Sequence, residues 1–147
     1  MALDLAAIRE ALVQQIVNGV GRGLTGFAYF PDSPPLPCVG VLPGDPYVDV
    51  QTTMGSGPHV TVNLDVRVLV PSGDGISGQR VLDELLSAGT GEGSSIVDAI
   101  ESDRTVNGTA ATSVVTEIQD RGRVVLGDGS TSAQTASLLV SLTLRRV

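Results

Sequence analysis

The sequence predicts a single α+β domain, a mostly antiparallel sheet with an N-terminal helix and two short helices packed on one face. Two long runs of strict apolar–polar alternation point to the sheet, and three stretches of three- and four-residue apolar spacing point to the helices. Helices gathered on one side follow from the strands themselves, because a strand with one apolar and one polar face needs covering on one side only.

The first helix spans Asp4 to about Asn18, with Leu5, Ile8, Leu12 and Ile16 forming one apolar stripe. Asp4 suits its N-cap, and Gly19 is the expected stop, since glycine adopts a left-handed conformation cheaply. Next comes a stretch dense in Gly and Pro. Short strands are expected at Phe27–Phe30 and Cys38–Leu42, both at an edge, because Pro31, Pro34, Pro35, Pro37, Pro43 and Pro46 lack a backbone donor. After Tyr47-Val48-Asp49-Val50, Gln51 to Gly57 reads as a polar loop.

Val60 to Val70 is the clearest signal: Val60, Val62, Leu64, Val66, Val68 and Val70 share one face, and Thr61, Asn63, Asp65 and Arg67 the other. Ala136, Leu138, Val140, Leu142 and Leu144 repeat the pattern against Ser137, Leu139, Ser141 and Thr143. Between these strands, Ser77–Ser87 places Val81, Leu82, Leu85 and Leu86 on one helical face and stops at Gly89. Ser95-Ile96-Val97-Asp98 reads as a capping box opening a second short helix. Thr112–Ile118 is expected as a strand, Asp120–Gly122 as its turn, Val124–Leu126 as a short strand, and Gly127–Ser130 as a hairpin turn into the last strand.

Composition narrows the function. The 147 residues suit one domain, and a core drawn from a 41% hydrophobic chain whose only aromatics are Phe27, Tyr29, Phe30 and Tyr47 must be aliphatic. No window approaches the ~18 apolar residues of a membrane span, and Met1-Ala2-Leu3-Asp4 lacks the n- and h-regions of a secretory signal. Synthesis in a reducing cytoplasm fits a single cysteine, Cys38, which also rules out an intrachain disulfide. The net charge is −7 and all nine basic residues are arginine, so sequence-specific nucleic-acid binding is not expected. Acidity of this kind suits solubility, or a wall past which DNA slides without sticking.

Catalysis lacks its parts. Gly21-Arg22-Gly23-Leu24-Thr25-Gly26 fits G-x-G-x-x-G, but a dinucleotide loop follows a strand and opens a helix, and this one follows a helix. His59 is the only histidine and falls at or before the polar face of the long strand, and no Gly-x-Ser-x-Gly elbow accompanies it. Cys38, among prolines in an apolar stretch, reads as a buried structural thiol. Asp74 and Asp128 lie in Gly-flanked turns without the ligand spacing of a calcium loop. No catalytic, metal or cofactor-binding residue is assigned.

One stretch carries a resemblance. Val81-Leu82-Asp83-Glu84-Leu85-Leu86, then Ser94-Ser95-Ile96-Val97-Asp98-Ala99-Ile100, then Asp103-Arg104-Thr105-Val106-Asn107-Gly108 is similar to the tail terminators and related minor tail proteins of long-tailed (siphovirus) bacteriophages. There a leucine-rich helix leads through a Gly-Ser turn to a short helix, which ends in an acidic-x-Thr-x-x-Gly turn feeding a strand. The N-terminal helix and the Pro31–Pro37 stretch fit the same order of elements.

The resemblance implies a homo-oligomeric ring, usually of six copies, at the head-proximal end of the tail tube in the virion. Such a ring stops tube growth, offers a surface to the head-completion (connector) protein, and lets DNA pass through its lumen without specific binding. No membrane and no cofactor are implied. Asp65, Arg67 and Arg145 on exposed strand faces are the expected subunit contacts, and the loop with Tyr47, Gln51 and Met54 the expected tube contact. The runner-up is another neck component or the tube subunit itself, and the reading from a different class is a small enzyme or ligand-binding domain.

Overall fold

A computed structural model of the chain describes residues 4–21, 23–29, 31, 34–49, 59–72, 76–87, 95–103, 105–106, 112–125 and 132–145. The elements run α1 (Leu5–Val20), β1 (Thr25–Phe27), β2 (Cys38–Asp49), β3 (His59–Pro71), α2 (Ile76–Leu86), α3 (Ile96–Glu101), β4 (Thr112–Val125) and β5 (Ser132–Arg145). They form one α+β unit around a five-stranded sheet in the order β1-β2-β3-β5-β4. All neighbours are antiparallel except the short β1, which runs parallel to β2. No described helix is long and apolar enough to cross a membrane.

The two alternating runs become the centre of the sheet, β3 and β5, paired without a break from His59↔Arg145 to Pro71↔Ala133. Val60, Val62, Leu64, Val66, Val68 and Val70 of β3 and Ala136, Leu138, Val140, Leu142 and Leu144 of β5 are buried at 5% exposure or less, under all three helices. From α1 come Ile8, Leu12 and Ile16, from α2 Leu82 and Leu85, and from α3 Ile96, Ala99 and Ile100. The core is aliphatic throughout. Cys38, Leu69 and Ala133 make a smaller cluster with half-buried Phe27, Leu36 and Val124.

The caps follow local chemistry. Asp4 Oδ1 accepts from the Ala7 N–H at 3.0 Å, and Ser95 Oγ accepts from the Asp98 N–H at 3.1 Å, each holding a donor that the helix start leaves over. Gly19 is not the stop of α1. The helix runs on to Val20, and Gly21, at φ 63°, is the left-handed cap whose N–H reaches the Val17 carbonyl. Gly19 instead lies against α3, where a Cβ in its place would stand 2.6 Å from the Cβ of Ala99.

Three further expectations change. Phe27 closes β1 rather than opening a strand, because pairing to β2 involves only Thr25 to Phe27. Val81 lies outside the buried face of α2, at 39% exposure, while Gly78 packs against the backbone carbonyls of Pro71 and Ser72. Asp120–Gly122 is not a turn: β4 continues through it, slipping register between Val115 and Glu117 and again between Gln119 and Gly122. The long β5 beside it offers partners on both sides of each bulge, so the ladder survives the extra residues. Gly89, Leu126 and Gly127–Ser130 lie outside the described residues, as do Asp74 and Asp128.

Candidate subunit interface

No described helix packs on the second face of the sheet, one end of which is closed by the Cys38, Leu69 and Ala133 cluster; Asp65 and Arg67 lie on this face. The register fixes their neighbours. Asp65 sits between Leu42 on β2 and Leu139 on β5, with Glu117 of β4 next in the row. Arg67 sits between Gly40 and Ser137, followed by Gln119. Towards the other end run Asn63–Ser141–Val114 and Thr61–Thr143–Thr112. Leu42 and Leu139 are half-buried, so the charged pair is bordered by aliphatic surface.

Asp65 and Arg67 pair with each other. Arg67 Nη2 donates to Asp65 Oδ2 at 3.3 Å, a long contact between residues two apart on one strand. The side chains remain 17% and 31% exposed, a setting in which an ion pair contributes little stability. The other half of the pair is unmade. Asp65 Oδ1 and Arg67 Nε have no partner and are closed off from solvent, and so are the hydroxyls of Thr135 and Ser137 on the same face. Buried polar atoms ordinarily find partners, so these four are exceptions gathered on one face.

The other expected contacts fare differently. Arg145 ends β5, its backbone paired with that of His59, far along the strand from Arg67. Tyr47 is not on an exposed loop. It lies within β2, half-buried against the main core, because pairing to β3 resumes at Val48↔Val62 and draws the segment inward. Gln51 and Met54 lie outside the described residues.

The glycine motif between α1 and β1 has structural work at each position described. Gly21 caps α1, Gly23 takes φ 72°, and Gly26 lies so close to α1 that a Cβ there would meet Val13 and Val17 at 2.5 and 2.6 Å. Cys38 is fully buried, and that burial pushes its thiol up to about 11 from an ordinary 9.0. The folded pKa is the raised one, so this thiol's contribution to stability is whole below about pH 9 and is lost as pH rises through 11. Native protein is expected to resist alkylation by iodoacetamide at pH 8 and to react at once in urea; rapid labelling without denaturant would show that the site opens.

At the described end of the stretch of resemblance, Asp103, Thr105 and Val106 make a tightly bonded corner. Asp103 Oδ1 accepts from the Thr105 N–H at 3.0 Å, and the Val106 N–H reaches the Asp103 carbonyl at 3.1 Å. Val106 is buried with φ 49°, a backbone conformation uncommon for a β-branched residue. Gln15 of α1 secures this corner, its Nε2 amide lying 2.8–3.0 Å from the carbonyls of Ala99, Ile100 and Asp103. Beside it an open groove of about 490 Å³ runs between α1 and the end of α3, lined by Gln14, Asn18, Ser102 and Asp103 among others. Neither Gln15 nor buried Arg9 stands out in the sequence, because a polar residue next to an apolar stripe ordinarily points to solvent.

Among the described residues no group of His, Cys, Asp and Glu is placed to hold a metal ion. No protein-family model matches the sequence. A search of curated proteins finds no match either.

Proposed function

We propose that the chain is a virion structural protein, a tail terminator that forms a ring on the head-proximal end of a phage tail tube. The observation that carries this reading is the sheet face that no described helix covers, where the partly exposed Asp65 and Arg67 share only one loose contact beside half-buried Leu42 and Leu139. A charged pair held this loosely, on a face without a helix, is free to exchange its contact for one with a neighbouring chain. The order of elements agrees with the resemblance of residues 81–108, whose helix, short helix and bonded corner are structural rather than chemical. A charge of −7 suits a ring through which DNA slides to the head–tail junction without being held.

Added at low molar ratio to growing tubes of the cognate tube protein, the chain is expected to stop elongation and to sit as a discrete ring at one end, seen by light scattering and electron microscopy. Filaments formed by this protein alone would make it a tube subunit. No effect on tube growth at any ratio would end the terminator reading. Arg67→Glu is expected to weaken the ring on tube ends without unfolding the subunit; an unchanged ring mass would remove Arg67 from the contact.

A further inference from the structure

We infer that the open sheet face also docks a second copy of this chain, face to face about a two-fold axis, with Arg67 of each copy meeting Asp65 of the other. The two residues have opposite charge, lie on one face of β3, and are separated only by Val66. A two-fold axis at the level of Val66 therefore sets residue 65 over residue 67 in both directions, the self-complementary geometry of an isologous contact. Face-to-face sheets lie about 10 Å apart, a gap that an arginine and an aspartate side chain bridge together.

The atoms left over match this partner. A guanidinium grips a carboxylate best with two parallel N–H donors, and Arg67 Nε, unpartnered here, is one that such a fork uses. Asp65 Oδ1 is the matching acceptor; both atoms are closed off within the subunit, so each side chain must turn outward to present them. Opening one loose 3.3 Å contact in each copy allows two forked contacts to form between copies. Leu42 and Leu139 flank the pair, and Val114, 40% exposed, stands further out on the same face, giving the charged centre an apolar surround.

Charge also selects this face over the opposite one. The helices carry Glu10, Asp83, Glu84, Asp98 and Glu101 against exposed Arg80 and buried Arg9, so the helical sides of two copies repel. On the open face the central pair is neutral.

The pairing itself does not depend on the ring. Its consequence does, and rests on the terminator reading. A two-fold contact cannot belong to a ring with unlike ends, so the free protein holds its open face against a twin until a tube end supplies ring neighbours in exchange.

The test is sedimentation equilibrium of the free protein. Wild type is expected to be a dimer at micromolar concentration. Arg67→Asp and Asp65→Arg, each folded by circular dichroism, are expected to be monomers apart and to restore the dimer when mixed in equal amounts. A mixture that stays monomeric, single variants that dimerise like wild type, or wild type found only as a monomer or only as a ring would each overturn the contact. Wild type that caps tubes normally yet never pairs removes the twin alone, whereas wild type that pairs normally with no effect on tubes removes the terminator reading alone.

Discussion

Gly19→Ala is expected to destabilise the fold by about 1–3 kcal/mol, the usual cost of an extra methyl group in a packed contact. The sign is opposite to intrinsic preference, because alanine in place of a helical glycine normally gains about 1 kcal/mol. Packing wins here for a geometric reason. The new methyl would stand 2.6 Å from the Cβ of Ala99 and 3.2 Å from its Cα, and neither atom can rotate away. α1 and α3 would have to part, loosening the Gln15 contacts that hold the corner after α3. Ala99→Gly in the same chain vacates the space, so the double variant is expected to recover most of the loss in urea-denaturation midpoint. A single Gly19→Ala variant as stable as wild type would show that the close approach constrains nothing.

Arg9→Met is expected to cost about 2–4 kcal/mol, since hydrogen bonds to charged groups are worth roughly 1.5–3 kcal/mol each and part returns when a buried charge is removed. Arg9 is 7% exposed. Its Nε donates to the Ala28 carbonyl at 2.9 Å, its Nη2 to the Val41 carbonyl, and its guanidinium lies 4.1 Å from the centre of the Tyr29 ring. Val41 lies one residue beyond the last β1–β2 pair, at Gly40, so the side chain from α1 takes over where the short strand ends. Arg9→Lys is expected to recover only part of the stability, because a lysine cannot fork to both carbonyls in fixed geometry. Tyr29→Ala, which removes only the ring contact, should cost about 0.5–2 kcal/mol. Equal thermal midpoints for Arg9→Met and wild type would rule out this anchoring role.

What could be read from the chain was whatever a single segment encodes. Residues 60–70 and 136–144 announce themselves because a two-residue period is written directly in side-chain type, and both are central strands. β4 is as long but hides, because its two bulges interrupt the alternation and Asp120-Arg121-Gly122 has turn composition. β2 hides for a related reason. Pro43-Gly44-Asp45-Pro46 reads as loop, yet Leu42 and Pro43 still pair with β3, the register slips, and pairing resumes at Val48. Gly44 fits there because a Cβ would meet the Asn63 carbonyl oxygen at 2.6 Å. Tyr47, carried along in that segment, ends against the core rather than on a loop.

The candidate interface divides the same way. That Asp65 and Arg67 lie away from the core on one strand was legible from alternation alone; that they pair with each other and are half-buried was not. That Leu139 and Ser137, seventy or more residues away in sequence, flank them depends on the β3–β5 register, and no local pattern states it. The class of fold, the central strands, the Asp4 and Ser95 caps and the core-facing side of β3 and β5 were written in the sequence, because these depend on backbone preference and apolar spacing within a few residues. The register, the stop of α1 at Gly21, the anchoring of Arg9 and the half-burial of Asp65 and Arg67 came only with the packed chain. Those depend on surfaces brought together from distant parts of the chain, where the best burial of the whole overrules what each segment would choose alone.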